Sequence, residues 1–156
     1  MKIKKFAFPS SNGIDTVVVT MWLPKGRAKG ILQIVHGMQE YMANYDRFAR
    51  SMCERGFSVV GMDSIGHGET APQGRLGCYN DCDSSEFLVL DIRRLTEKVR
   101  KKYRRAPLFI YGHSFGSFQT RIYISRYRDI DGAIIAGTGE FSAHPMSGYL
   151  KLLKKK

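Results

Sequence analysis

Cysteine is scarce in this chain: Cys53, Cys78 and Cys82 are the only three in 156 residues. An odd, small number excludes a disulfide framework and fits reduced thiols. Cys78 and Cys82 stand four apart with no second Cys/His pair at ligand spacing, so no metal site is expected. Long apolar runs are missing too. None approaches the ~18 residues a membrane helix needs. The basic start, Met1-Lys2-Ile3-Lys4-Lys5-Phe6, leads into Pro9, Ser10, Asn12 and Asp15, where a signal peptide would carry its apolar core. A cytoplasmic location is the expectation. Internal repeats, linkers and low-complexity stretches are also lacking. Residues 1–156 therefore read as a single domain, and 43% hydrophobic content is enough to give it a core.

Acidic residues are few, 14 against 25 Lys and Arg, leaving a net charge of +11. The excess is concentrated. Arg93, Arg94, Lys98, Arg100, Lys101, Lys102, Arg104 and Arg105 crowd one helical segment and its exit, and Lys151, Lys154, Lys155 and Lys156 crowd the C-terminus. No aromatic-interleaved RNA motif or recognition-helix pattern accompanies them, so nucleic acid is not the expected partner. The charge reads as a solvated helix face whose late cations suit the negative end of the helix dipole. A weak contact with a membrane surface is the other reading it leaves open.

What is present is a regular alternation. Lys2 to Phe8 and Thr16 to Leu23 read as strands joined by the turn Ser11-Asn12-Gly13. Gly30 to Val35, Phe57 to Met62, a run starting at Pro107, and Ala133 to Ala136 read as further strands. Between them, Tyr41, Tyr45, Phe48 and Met52 fall at helical spacing, closed by Gly56. Leu88, Ile92, Leu95, Val99 and Tyr103 form one apolar stripe, preceded by Asp83 and Glu86 at capping-box spacing. Phe118 and Ile122 mark the expected buried face of a third helix. This order predicts an α/β fold: an antiparallel hairpin, then parallel strands joined by right-handed crossovers, with flanking helices.

Three motifs follow three of the parallel strands and so emerge at one carboxyl edge, where open α/β sheets place their ligands. They are His36-Gly37-Met38-Gln39-Glu40, Asp63-Ser64-Ile65-Gly66-His67-Gly68-Glu69-Thr70, and Gly112-His113-Ser114-Phe115-Gly116. The last lies between a strand and a helix. That context makes Ser114 the apex of a nucleophile elbow, with glycines either side to let the backbone turn and a helix N-terminus beside it. His36 and His67, within glycine-flanked loops, are expected to hold those loops by hydrogen bonds. The His113 side chain is expected to point away from the Ser114 hydroxyl, beneath the turn. The loop from Asp63 to Cys82 is long enough to suggest a function.

Together these motifs resemble the α/β-hydrolase superfamily, nearest its monoacylglycerol lipase and lysophospholipase branch. The resemblance covers essentially the whole chain and matches the N-terminal half of that family only, a truncated α/β-hydrolase sheet ending after strand six, with no cap domain. It implies a serine carboxylic-ester hydrolase acting on small or short-chain acyl esters through an acyl-serine intermediate, with no cofactor. Ser114 would be the nucleophile, and the backbone N–H groups of Met38 and Phe115 would form the oxyanion hole. The loop after the third strand lacks the Gly-Gly-Pro-Gly run of proline iminopeptidases, which argues against a peptidase. The family's histidine has no counterpart here. Position and chemistry leave His144 as the substitute base, oriented by Glu140 as acid. The alternative is a catalytically impaired hydrolase half that only folds and self-assembles. Strand six would be an exposed apolar edge, favouring a homo-oligomer that buries it, with the segment from Met146 to Lys156 as an amphipathic cover.

Overall fold

The computed structural model describes residues 1–71, 76–77 and 84–139. Its strands are β1 (Lys2–Pro9), β2 (Thr16–Leu23), β3 (Gly30–Val35), β4 (Phe57–Met62), β5 (Leu108–His113) and β6 (Gly132–Ala136). Its α-helices are α1 (Asp46–Glu54), α2 (Ser84–Lys102) and α3 (Phe115–Arg126). All described strands join one sheet in the order β1-β2-β4-β3-β5-β6. β1, β2 and β4 pair antiparallel, while β4, β3, β5 and β6 run parallel. This is the mixed α/β-hydrolase arrangement, and no cap stands over it among the described residues.

Period-two alternation distributes the strand residues between two cores. On one face Ile31 and Val35 of β3 pack with Leu108 and Ile110 of β5 under Val89, Ile92, Leu95 and Val99 of α2. On the other, Leu32 and Ile34 pack with Trp22, Val59, Met42, Ala49 and Cys53 around α1. All six residues of β3 are buried, as a central strand covered on both faces requires. The one polar member, Gln33, is satisfied: its Nε2 donates to the Ile92 carbonyl at 3.2 Å and its Oε1 accepts from Thr96 at 3.1 Å.

The α2 stripe packs as its spacing implies, with Leu88, Ile92, Leu95 and Val99 buried. Asp83, expected to cap α2, lies outside the described residues, as do Cys78, Cys82 and the segment from Met146 to Lys156. The third helix differs from expectation. Ile122 is 38% exposed, and α3 buries Gly116, Ser117, Gln119, Thr120 and Tyr123 instead. The helix crosses the sheet too closely for large side chains over its first two turns. Thr120 sits where a Cβ on Gly112 would overlap its hydroxyl.

β6 lies at the end of the described sheet with Ala133 exposed and Ile134 51% exposed. No helix among the described residues is long and apolar enough to cross a membrane. Truncating Ile110, fully buried in β5, to Ala should cost about 2–5 kcal/mol. The same change at Ile134 should cost well under half that, and urea denaturation of the two variants measures the difference.

Candidate active site

Ser114 joins β5 to α3, with φ +50 and ψ −118, the only non-glycine positive φ among the described residues. Such a conformation costs about 1–3 kcal/mol and persists only where the surroundings enforce it. The enforcing contacts are visible. A Cβ on Gly116 would overlap the Val35 carbonyl oxygen and approach that of His36 to 2.6 Å. One on Gly112 would lie 2.7 Å from the Gly116 carbonyl oxygen. Only glycine permits this crossing of α3 over the end of β3. The Ser114 N–H donates to the Ala136 carbonyl at 2.9 Å, tying the turn to the end of β6. Its carbonyl accepts from the Ser117 N–H at 2.9 Å and the Ser117 hydroxyl at 2.5 Å. The Ser114 side chain is left exposed, and its hydroxyl has no hydrogen-bond partner among the described residues.

The loop after β3 stands against this turn. A Cβ on Gly37 would meet the Ser114 Cβ at 3.2 Å, so the backbone at Gly37 runs beside the serine. The N–H groups of Met38 and Phe115 have no acceptor among the described residues. Phe115 is the first residue of α3, where main-chain N–H groups are unpaired and the helix dipole favours negative charge. The Met38 side chain is itself exposed. The structure thus brings Ser114, Phe115 and Met38 to one edge. Glu140 and His144 lie outside the described residues.

His36 and His67 hold the loops, as their setting implies. The buried His36 accepts the Ser64 N–H on Nε2 at 2.9 Å, so its Nδ1 carries the proton and donates to the Gly37 carbonyl at 2.7 Å. Burial, the largest influence, pushes the His36 pKa below its usual value, with the Gly37 carbonyl opposing. His67 lies with Nδ1 2.9 Å from the Ile65 carbonyl and Nε2 2.6 Å from that of Met38, linking the loop after β4 to the one after β3. Asp63 organises the same loop by accepting the N–H groups of Met42 at 2.6 Å and Glu69 at 2.8 Å.

The position of His113 departs from expectation. Rather than packing beneath the turn, its half-exposed ring stacks parallel to Tyr111 at 6.5 Å and places Nδ1 3.0 Å from Glu40 Oε2. Glu40 is the residue whose role the sequence did not reveal. Its Oε2 also accepts the Gly37 N–H and the Tyr45 hydroxyl, each at 2.6 Å. Burial alone would raise the Glu40 pKa, but Tyr45, His113 and the Gly37 N–H together hold it below the ordinary range. Tyr45 is pushed up, first by burial and then by the carboxylate it faces. One carboxylate therefore pins the β3 loop to Tyr45, in the turn just before α1, and to the residue preceding Ser114. Its motif position was visible, but nothing local reveals donors from three separate elements.

The family model described as serine aminopeptidase, S33, matches residues 26–156. The chain belongs to this S33 hydrolase family. Among curated relatives of this S33 chain, the monoglyceride lipase of Rattus norvegicus is 30% identical over 95 residues, covering 61% of this chain and 30% of that protein. The monoacylglycerol lipase of Mycolicibacterium smegmatis is 28% identical over 132 residues, covering 85% and 42%. Among solved structures, a thermostable carboxyl esterase from Bacillus coagulans superposes with a TM-score of 0.86 at 32% identity, over 99% of this chain and 50% of that one. The chain thus spans less than half the length of these curated relatives and half that of the esterase. These relatives are an esterase and lipases, whereas the family description itself names an aminopeptidase.

Protonating His36 must break its bond from the Ser64 N–H. Its folded pKa lies below the ordinary 6.5, so the unfolded chain takes up the proton first. Its contribution to stability is complete above about pH 6.5 and is lost as the pH falls from there through the lowered folded value. The urea midpoint should fall between about pH 7 and about pH 5, and His36→Gln should flatten that slope.

Proposed function

We propose that the chain is a serine carboxylic-ester hydrolase of a single domain, 1–156, acting on small or short-chain acyl esters. The supporting observation is the exposed Ser114 at φ +50, beside two N–H groups without acceptors among the described residues. Ser114 Oγ attacks the ester carbonyl carbon as its proton passes to a base. The carbonyl oxygen takes up the negative charge between the Met38 and Phe115 N–H groups, each such donor contributing ~3 kcal/mol in the transition state. Collapse of this intermediate expels the alcohol, which takes the proton back, and leaves acyl-Ser114. Water then attacks the acyl carbon, releasing the acid and restoring the hydroxyl. His144 serves as the base, oriented by Glu140, on the grounds of sequence position and chemistry. The exposure of Ser114 favours compact esters over long acyl chains.

A second reading is a folded hydrolase domain that does not turn over. Its support is that His36 and His113 are engaged elsewhere, and no hydrogen bond reaches the Ser114 hydroxyl among the described residues. A fluorophosphonate probe separates the two. An activated Ser114 labels within minutes and loses labelling in Ser114→Ala, whereas an unactivated one stays unmodified. With p-nitrophenyl acetate, His144→Ala should reduce turnover by at least about 10²-fold if it is the base. Unchanged turnover removes it from that role. The β6 edge, with Ile134 exposed, supports self-association in a cytoplasmic homo-oligomer. Light scattering at micromolar concentration should return at least a dimer mass, and a monodisperse monomer would contradict it.

A further inference from the structure

A cleft of about 730 Å³ opens at the amino edge of the parallel strands, lined by Ala28 before β3, Ser58 in β4 and Ala106 before β5. Ser114 stands at the opposite, carboxyl edge of the same strands. Six cations line this cleft: Lys2 from β1, Arg27 from the connection between β2 and β3, Lys101 and Lys102 from the end of α2, and Arg104 and Arg105 beyond it. No Asp or Glu lines it.

The charge reading made from the sequence, late helix cations answering the helix dipole, accounts for Lys101 and Lys102 but not for Lys2 and Arg27. Those two come from other elements. None of the six forms an ion pair among the described residues. Neighbouring arginines of α2 behave differently. Arg93 pairs with Glu97, and Arg100 is taken up by the Asp131 carboxylate and the Asp129 and Ala106 carbonyls. Six like charges around one concavity repel one another, and a multivalent anion relieves that repulsion. The volume is that of a small-molecule site. Leu23, Pro24 and Tyr103 add apolar surface beside the charge.

We propose that this cleft binds a soluble ligand carrying two or more phosphate groups, at a site separate from Ser114. Arg27, Arg104 and Arg105 offer planar guanidinium forks that match phosphate oxygens, and the lysines add point charges. The concave form favours a discrete ligand over a bilayer. Seating the cleft on a membrane would also turn the Ser114 edge away from the lipid.

The test is calorimetric titration of the full chain with inorganic tripolyphosphate at low ionic strength. Saturable one-to-one binding is expected, weakening steeply with added salt. Arg27→Glu combined with Arg104→Glu should weaken it by at least about tenfold, and Arg27→Gln with Arg104→Gln by a smaller factor, with the circular dichroism spectrum retained. The control pair Arg47→Glu with Arg50→Glu, on α1, should leave it unchanged. Absence of saturable binding, or equal weakening in the control pair, would overturn the proposal. So would cosedimentation with phosphatidylglycerol vesicles in the absence of tripolyphosphate saturation, which would assign the charge to a membrane surface. Ester turnover is not read, so failure here is distinct from failure of the hydrolase reading.

Discussion

The close passage of α3 over the carboxyl ends of β3 and β5 is the constraint on which the rest of the site depends. Gly112 and Gly116 let the helix approach until Gly116 rests against the Val35 and His36 carbonyls. At that separation the intervening residue cannot relax, and Ser114 is held at φ +50 with its side chain toward solvent. The same closeness presses the β3 loop against the serine through Gly37. It also dictates the composition of the first turns of α3, which bury Gly116, Ser117, Gln119 and Thr120 before the first large buried side chain, Tyr123.

A second layer of contacts keeps the loops from moving independently of the turn. Glu40 gathers Gly37, Tyr45 and His113 on one oxygen; His36 and His67 tie the β3 loop to the β4 loop, and Asp63 secures the latter internally. These shared contacts give flexible, glycine-containing segments one arrangement. A site whose positions are fixed before a substrate arrives can stabilise developing charge without reorganising.

Much of this was legible in the sequence. The strands could be bounded to within a residue or two because their apolar runs end at glycine, proline and polar turn residues, as at Gly30 and Pro107. The elbow was legible because its glycines are dictated by local backbone sterics. The buried face of α3 was not, because Phe118 and Ile122 have the right spacing while the depth of the groove over Gly112 is a tertiary property. Nor was the role of Glu40 legible, since its partners lie 3, 5 and 73 residues away. The cation cleft was half legible. The run at the end of α2 stands out in the sequence, but Lys2 and Arg27 join it only through folding.

The most direct measurement is a crystal structure of the protein after reaction with a small fluorophosphonate ester. A covalent bond from Ser114 Oγ to phosphorus is expected, with the phosphoryl oxygen about 2.7–3.1 Å from the main-chain nitrogens of Met38 and Phe115. An adduct whose phosphoryl oxygen faces solvent, away from both nitrogens, would contradict the account.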